Sequence, residues 1–188
     1  MRIGLYFGSF NPIHNGHLGL ANYLLTNDLE EVWLIVSPQN PLKKATDLLD
    51  DQLRLEMAHL AIQNTSDIRV SDVEFGLPKP SYTLHTLDYL STQYPEHEFV
   101  LLIGADNVAI FDKWKDYEVI LSHFNILVYP RDGFPFTSDK FPQMRFVNAP
   151  LFDISSTDIR QRLQKGEDCS KLMPEEVLNF INIHHLYQ

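Results

Sequence analysis

A three-layered α/β fold, a doubly wound parallel sheet with helices on both faces, is the class this sequence predicts. Two observations predict it. Four short runs are continuously apolar through their centres, IGLYF (3–7), EVWLIVS (31–37), EFVLLIG (98–104) and FNILVYP (124–130), and amphipathic helical patterns lie between them. Strands without a polar face are covered on both sides, and strand–helix–strand alternation is the crossover that parallel neighbours require. The 188 residues carry no repeat, no low-complexity tract and no dividing linker. One Rossmann-like domain over 1–188 is expected, its closing helical part beginning at about residue 153.

The elements follow in order. IGLYF, bounded by glycine, opens as a buried strand, and GHLGLANYLL (16–25) repeats apolar residues at helical spacing. After the second strand, DQLRLEMAHLAIQ (51–63) sets Leu53, Met57, Leu60 and Ala61 on one helical stripe. IRVSDVEF (68–75) alternates weakly and predicts an added strand; SYTLHTLDYLSTQY (81–94) is a helix with Leu84, Leu87, Leu90 and Tyr94 inward. Beyond the strands at 98–104 and 124–130, RDGFPFTSDKFP (131–142) reads as an exposed loop and RFVNAP (145–150) as a last short strand. SSTDIRQRLQKG and PEEVLNFINIHHLY close the chain as two helices, with Pro174, Glu175 and Glu176 in the first turn of the second, where the helix dipole favours anions.

Composition narrows the function. Fifteen Lys and Arg against 25 Asp and Glu leave a net charge of −10, which speaks against nucleic acid or a membrane surface as partner. No apolar run nears the ~18 residues of a membrane span, and the opening MRIGLYFGSF is too short in apolar residues for a signal peptide. A lone Cys169 offers neither disulfide nor metal cluster. A soluble cytoplasmic protein is expected, with a homo-oligomer left open. An acidic protein can still bind a polyphosphate, provided cations are local or a metal helps.

The segment leaving the first strand, GSFNPIHNGH (8–17), is where such a ligand would sit, because doubly wound sheets bind at the carboxyl ends of their strands. Gly8 lets the backbone turn, Pro12 stiffens the loop, and Gly16 keeps the helix entrance clear. Free N–H groups there favour an anion, with His14 and His17 beside them. The loop is neither a Walker A nor a GxGxxG fingerprint. Without a cysteine or carboxylate cluster nearby, the histidine pair is not expected to hold a metal. Near the other end, DISSTDIRQRL (153–163) brings the hydroxyls of Ser155, Ser156 and Thr157 to a helix N-terminus with Arg160 one turn on, a place that suits a triphosphate tail as well as a simple capping box.

GSFNPIHNGH resembles the GxFxPxHxGH signature of the HxGH nucleotidyltransferase superfamily at Gly8, Phe10, Pro12, His14, Gly16 and His17, and ISSTDIR resembles the motif that closes the site in its adenylyltransferase branch. SPQNPLKK (37–44), PSYTLHTL (80–87) and LLIGADNVAIFDKW (101–114) extend the resemblance to the bacterial nicotinate mononucleotide adenylyltransferase family, over essentially the whole chain. His85 departs from the acidic residue expected there. The resemblance implies AMP transfer from ATP to nicotinate mononucleotide with release of pyrophosphate. His14, His17 and Arg160 are then the catalytic residues. ATP would be held by Gly8, Ser9, Phe10, His14, Gly16, His17, Gly104, Asp106, Ser155, Ser156, Thr157 and Arg160, with Asp106 on the ribose hydroxyls. The mononucleotide would be held by Lys43 or Lys44 at the phosphate, Thr83 at the pyridine substituent and Trp114 stacked on the ring. Mg²⁺ would arrive mainly on the ATP phosphates. Pantetheine-phosphate adenylyltransferase, with similar loops, and a noncatalytic nucleotide-binding protein of the same fold are the alternatives.

Overall fold

The structure, a computed structural model, describes residues 1–38, 48–135 and 139–188. β1 (Arg2–Gly8) leads into α1 (Asn15–Asn27). There follow β2 (Glu31–Val36), α2 (Asp51–Ile62), β3 (Ile68–Ser71), α3 (Thr83–Gln93), β4 (Glu98–Gly104), the short α4 (Ala105–Val108), α5 (Tyr117–His123) and β5 (Asn125–Tyr129). β6 (Arg145–Phe146), α6 (Ser156–Gln164) and α7 (Glu175–Ile183) complete the chain. The sheet has the order β3-β2-β1-β4-β5-β6, and every neighbouring pair is parallel. Strand order therefore reverses between β1 and β4, which opens a crevice at their carboxyl ends.

The apolar strands feed two cores, one on each face. Val32, Leu34 and Val36 of β2 join the first core with Leu20 and Leu24 of α1, Met57 of α2, Ile159 of α6 and Ile181 of α7. Trp33 and Ile35, the alternate residues, join the second with Leu84, Leu87 and Leu90 of α3 and Ile120 of α5. Each such side chain taken from water contributes about 1.5–3 kcal/mol, which is why period-two strands with no polar face must lie between helices. Helix starts obey capping chemistry: the Asp50 carboxylate accepts from the Gln52 and Leu53 amides at 2.9 and 3.4 Å, and Ser155 Oγ accepts from the Asp158 amide at 3.1 Å.

Some expectations are corrected. IRVSDVEF is strand only over Ile68–Ser71; Val73–Phe75 is a turn of 3₁₀ helix. In RFVNAP only Arg145 and Phe146 pair, with Leu127 and Val128 of β5. Pro174 is the N-cap of α7 rather than part of its first turn. Tyr94 lies past α3 and is exposed. On α2 the fully buried residues are Arg54, Met57 and Ala58, while Leu53, Leu60 and Ala61 pack only partly against the first core. Beside that stripe Arg54 also reaches inward: its guanidinium donates to the carbonyls of Leu49 (2.9 Å), Ser9 (2.6 Å) and Ser37 (3.0 Å). It also pairs with Asp51 at 2.5 Å. A cation inside the protein thus ties the loop after β1 to the loop after β2.

Candidate active site

The loop after β1 packs on itself around one ring. Phe10 is buried at φ +44°, a left-handed conformation that a side-chain-bearing residue holds only when its surroundings dictate it. Its ring lies so close over Gly8 that a Cβ there would stand 2.7 Å from it. A Cβ on Gly16 would likewise stand 3.0 Å from the His14 ring, so the bare helix entrance is what admits that imidazole.

His14 is the N-cap of α1 and His17 its third residue, and the two rings stack with centroids 3.7 Å apart and planes at 25°. Phe10 and Tyr6 meet His17 edge-on at 5.0 and 5.9 Å. The His14 amide donates to His17 Nδ1 at 3.2 Å. A nitrogen that accepts from an amide carries no proton, so neutral His17 holds its proton on Nε2 and is a donor there.

His14, 4% exposed, keeps Nδ1 buried with no hydrogen-bond partner among the described residues. Burial, and secondarily the charge of Arg131, lowers its pKa from 6.5 to about 4, so it is neutral at physiological pH. The unfolded chain takes up this proton at higher pH than the folded one. The stability gained by burying a neutral ring is therefore complete above about pH 6.5 and is lost as pH falls from there toward about 4. Urea titrations at pH values either side of that window should show a larger loss on acidification for the wild type than for His14→Gln.

Both histidines line a hollow of about 750 Å³, in the size range of a nucleotide site. Tyr6, Gly16 and Leu20 share their side of it; Asp106, Tyr129, Arg131, Asp132 and Phe134 form the side beyond β4 and β5. The run from Pro150 to Ser155, with Asp158 and Arg162, closes it from α6. Arg131 lies with its guanidinium carbon 5.3 Å over the Tyr129 ring and its Nε 3.6 Å from Asp106 Oδ1. Burial works against its charge, but Tyr129, Tyr6 and Asp106 outweigh that and raise its pKa, so it remains a cation in the wall. Burial, above all, keeps the phenols of Tyr6 and Tyr129 protonated.

Of the residues singled out in the sequence, His14, Gly16, His17, Asp106 and Ser155 come together on this wall. Gly8 ends β1, Ser9 and Phe10 follow it in the first loop, and Gly104 ends β4 as the N-cap of α4; none of these four lines the hollow. The far end of the chain does meet that loop, but through its backbone. Ser156 Oγ donates to the Pro12 carbonyl at 3.0 Å, and Arg160 Nη1 donates to the Asn11 carbonyl at 2.8 Å. Arg160 Nη2 lies 3.4 Å from Thr157 Oγ1, and neither Ser156, Thr157 nor Arg160 lines the hollow. The cations on the wall are Arg131 and Arg162, which sequence reading left aside. Arg131 had a usable signal: it stands just past the carboxyl end of β5, the sheet edge at which such folds bind ligands.

Thr83 opens α3 and Trp114 is half-buried against Phe111, with ring centroids 5.1 Å apart and the indole Nε1 buried with no hydrogen-bond partner among the described residues. Neither lines the large hollow. Their segments are neighbours nonetheless, since Lys115 Nζ lies 4.5 Å over the ring of Tyr82. Lys43 and Lys44 fall outside the described residues. Among the described residues no group of three or more His, Cys, Asp or Glu is gathered for a metal, and no helix is long and apolar enough to cross a membrane.

Residues 5–162 match the family described as cytidylyltransferase-like. Over 169 residues, 89% of this chain and 84% of the relative, the chain is 51% identical to a Bacteroides fragilis protein named "Probable nicotinate-nucleotide adenylyltransferase". A Flavobacterium johnsoniae protein of the same name is 45% identical with all of both chains covered. The chain belongs to the cytidylyltransferase-like family, among its nicotinate-nucleotide adenylyltransferases. Its fold matches that of Plasmodium falciparum nicotinic acid mononucleotide adenylyltransferase, solved in complex with NaAD, with a TM-score of 0.82 over 99% of this chain and 97% of that one. At 20% identity that likeness speaks for the fold. A second structure of the P. falciparum enzyme, in complex with APC, gives a TM-score of 0.79 at 22% identity, covering 99% and 96% of the two chains. The nicotinate-nucleotide adenylyltransferase membership rests on the full-length relatives, and the site residues above are where this member of the family carries its histidine pair.

Proposed function

We propose that this protein transfers the adenylyl group of ATP to nicotinate mononucleotide, giving nicotinate adenine dinucleotide and pyrophosphate in NAD biosynthesis. One observation carries the reading: two stacked imidazoles at the entrance of α1 stand on a hollow of about 750 Å³, in a chain 45% identical along its whole length to a protein named for that reaction. We assign the protein to the cytoplasm, the compartment its composition leads us to expect.

The mononucleotide phosphate is already ionised near neutral pH, its second pKa being about 6, so an oxygen of it can attack the α-phosphorus without a strong base. A new P–O bond forms as the bond from the α-phosphorus to the bridging oxygen breaks, and pyrophosphate leaves with that electron pair. Catalysis is then a matter of holding the groups in line and meeting negative charge as it moves to the leaving group. His17 Nε2–H and neutral His14 meet the α- and β-phosphates. Arg131 and the capped start of α6 at Ser155 hold the pyrophosphate, with Ser156, Thr157 and Arg160 adding polarity and charge at the same helix end. Asp106 takes the ribose hydroxyls. The mononucleotide lies toward Thr83 and Trp114, with Lys43 or Lys44 at its phosphate. Mg²⁺, if bound, would be held mainly through the ATP phosphates and would offset part of their charge.

Ring stacking predicts that Trp114→Ala raises KM for nicotinate mononucleotide by about tenfold and leaves KM for ATP nearly unchanged, given the ~1 kcal/mol or more of an aromatic stack. Steady-state kinetics with each substrate varied separately checks this; equal rises count against stacking. The reaction itself is tested by pyrophosphate release from ATP with nicotinate mononucleotide, nicotinamide mononucleotide and phosphopantetheine offered in turn. Release is expected to be fastest with the first. Release with phosphopantetheine alone, or with no acceptor, rejects the assignment.

A further inference from the structure

We infer that Tyr187, in the segment after α7, is a positioning residue for the adenylyl transfer, holding the histidine loop in place through Asn11. This rests on the proposed role of that loop. The Tyr187 hydroxyl donates to Asn11 Oδ1 at 2.7 Å, across 176 residues of sequence. Asn11 is 4% exposed and lies three positions before His14. Its side-chain oxygen also accepts from the Leu49 amide at 3.4 Å, and its carbonyl accepts from Arg160 at 2.8 Å. The segment before α2, the middle of α6 and the segment after α7 thus converge on one residue of GSFNPIHNGH.

The chain end is shaped to make this contact. His185 and Tyr187 both stand in the left-handed region, at φ +51° and +61°, which residues with side chains adopt only under constraint. Between them Leu186 is buried in the first core, its amide donating to the Ile181 carbonyl at 3.0 Å. The backbone turns before and after that anchor and delivers the phenol to the loop. Burial raises the Tyr187 pKa far above the ordinary phenol range against the opposing charges of Arg160 and Arg54, so the group is a standing donor. On the loop side of the bond, Phe10 at φ +44° is also in a conformation that its neighbours must enforce. The strained turns at either end of the hydrogen bond are the signature of a geometry held for a purpose rather than left to relax.

Tyr187→Phe keeps the ring and removes only the donor. Measured beside the wild type and His17→Ala, it should lower kcat by about fivefold to tenfold, with both KM values within about twofold and the melting temperature little changed. In an Asn11→Ala background the same substitution should bring no further loss in kcat, because its effect passes through that side chain. If Asn11→Ala does not fold, the division of the Tyr187→Phe effect between kcat and KM decides alone. Wild-type kcat in Tyr187→Phe overturns the inference, as does an equal loss in the Asn11→Ala background or a loss that follows thermal stability instead of kcat. His17→Ala at wild-type rate would instead overturn the reading of the site itself, so the two failures are distinguishable.

Discussion

His17→Ala is expected to lower kcat by about a hundredfold or more, the usual cost of removing one preorganised donor from the place where charge develops. The geometry fixes which nitrogen matters. Nδ1 is committed to the His14 amide at 3.2 Å, and the ring is held between His14 at 3.7 Å and the edge of Phe10 at 5.0 Å. Nε2–H is consequently aimed without rotamer search, and its alignment costs nothing at the moment of reaction. Alanine also takes the acceptor from the His14 amide, so His17→Asn is the companion variant, since its amide oxygen can replace that acceptor. An equal loss of kcat in both assigns the effect to the missing Nε2–H. Wild-type turnover in either removes the proposed role.

Arg54→Met is expected to destabilise the fold by about 3–5 kcal/mol, the range for breaking a buried charged cluster while its partners stay behind. Methionine fills similar volume but donates nothing. The part-buried carbonyls of Ser9, Ser37 and Leu49 then lose their donor, and Asp51 loses a partner at 2.5 Å. Arg54→Lys should fall between, because one ammonium cannot reach acceptors arrayed around a planar fork. Urea unfolding measures both. A loss under about 1 kcal/mol for the methionine variant would mean that the loops after β1 and β2 hold their places without this cation.

Arg54 also shows where sequence reading stops. Strand β2 was legible because all six of its residues are buried and their alternation feeds two cores, a pattern that contiguous residues carry by themselves. The cap at Ser155 was legible for the same reason, since donor and acceptor lie three residues apart. A charged residue within an amphipathic helix carries no such signal. Its acceptors belong to residues 9, 37 and 49, and nothing local says that they will surround it. The stripe of Leu53, Met57, Leu60 and Ala61 does face the first core, as periodicity predicts, but periodicity gave no sign that Arg54 beside it is buried as well.

In the site, likewise, the motifs marked two loops but not the partners within them. ISSTDIR brings Arg160 to the first loop, and which oxygen it meets is decided by the Asn11 carbonyl, 149 residues away. Arg131 came from a segment rich in turn residues that reads as plain loop, and only the order of β4 and β5 beside β1 sets it opposite the histidines. Short spacing encodes faces and caps; contacts made across the sheet depend on topology.

A crystal structure of the protein with a nonhydrolysable ATP analogue and nicotinate mononucleotide tests the central claim most directly. The triphosphate should lie in the hollow between α1 and α6, with phosphate oxygens in hydrogen-bond reach of His17 Nε2 and Arg131 beside them. A triphosphate bound elsewhere on the molecule, with His14 and His17 touching neither substrate, would contradict it.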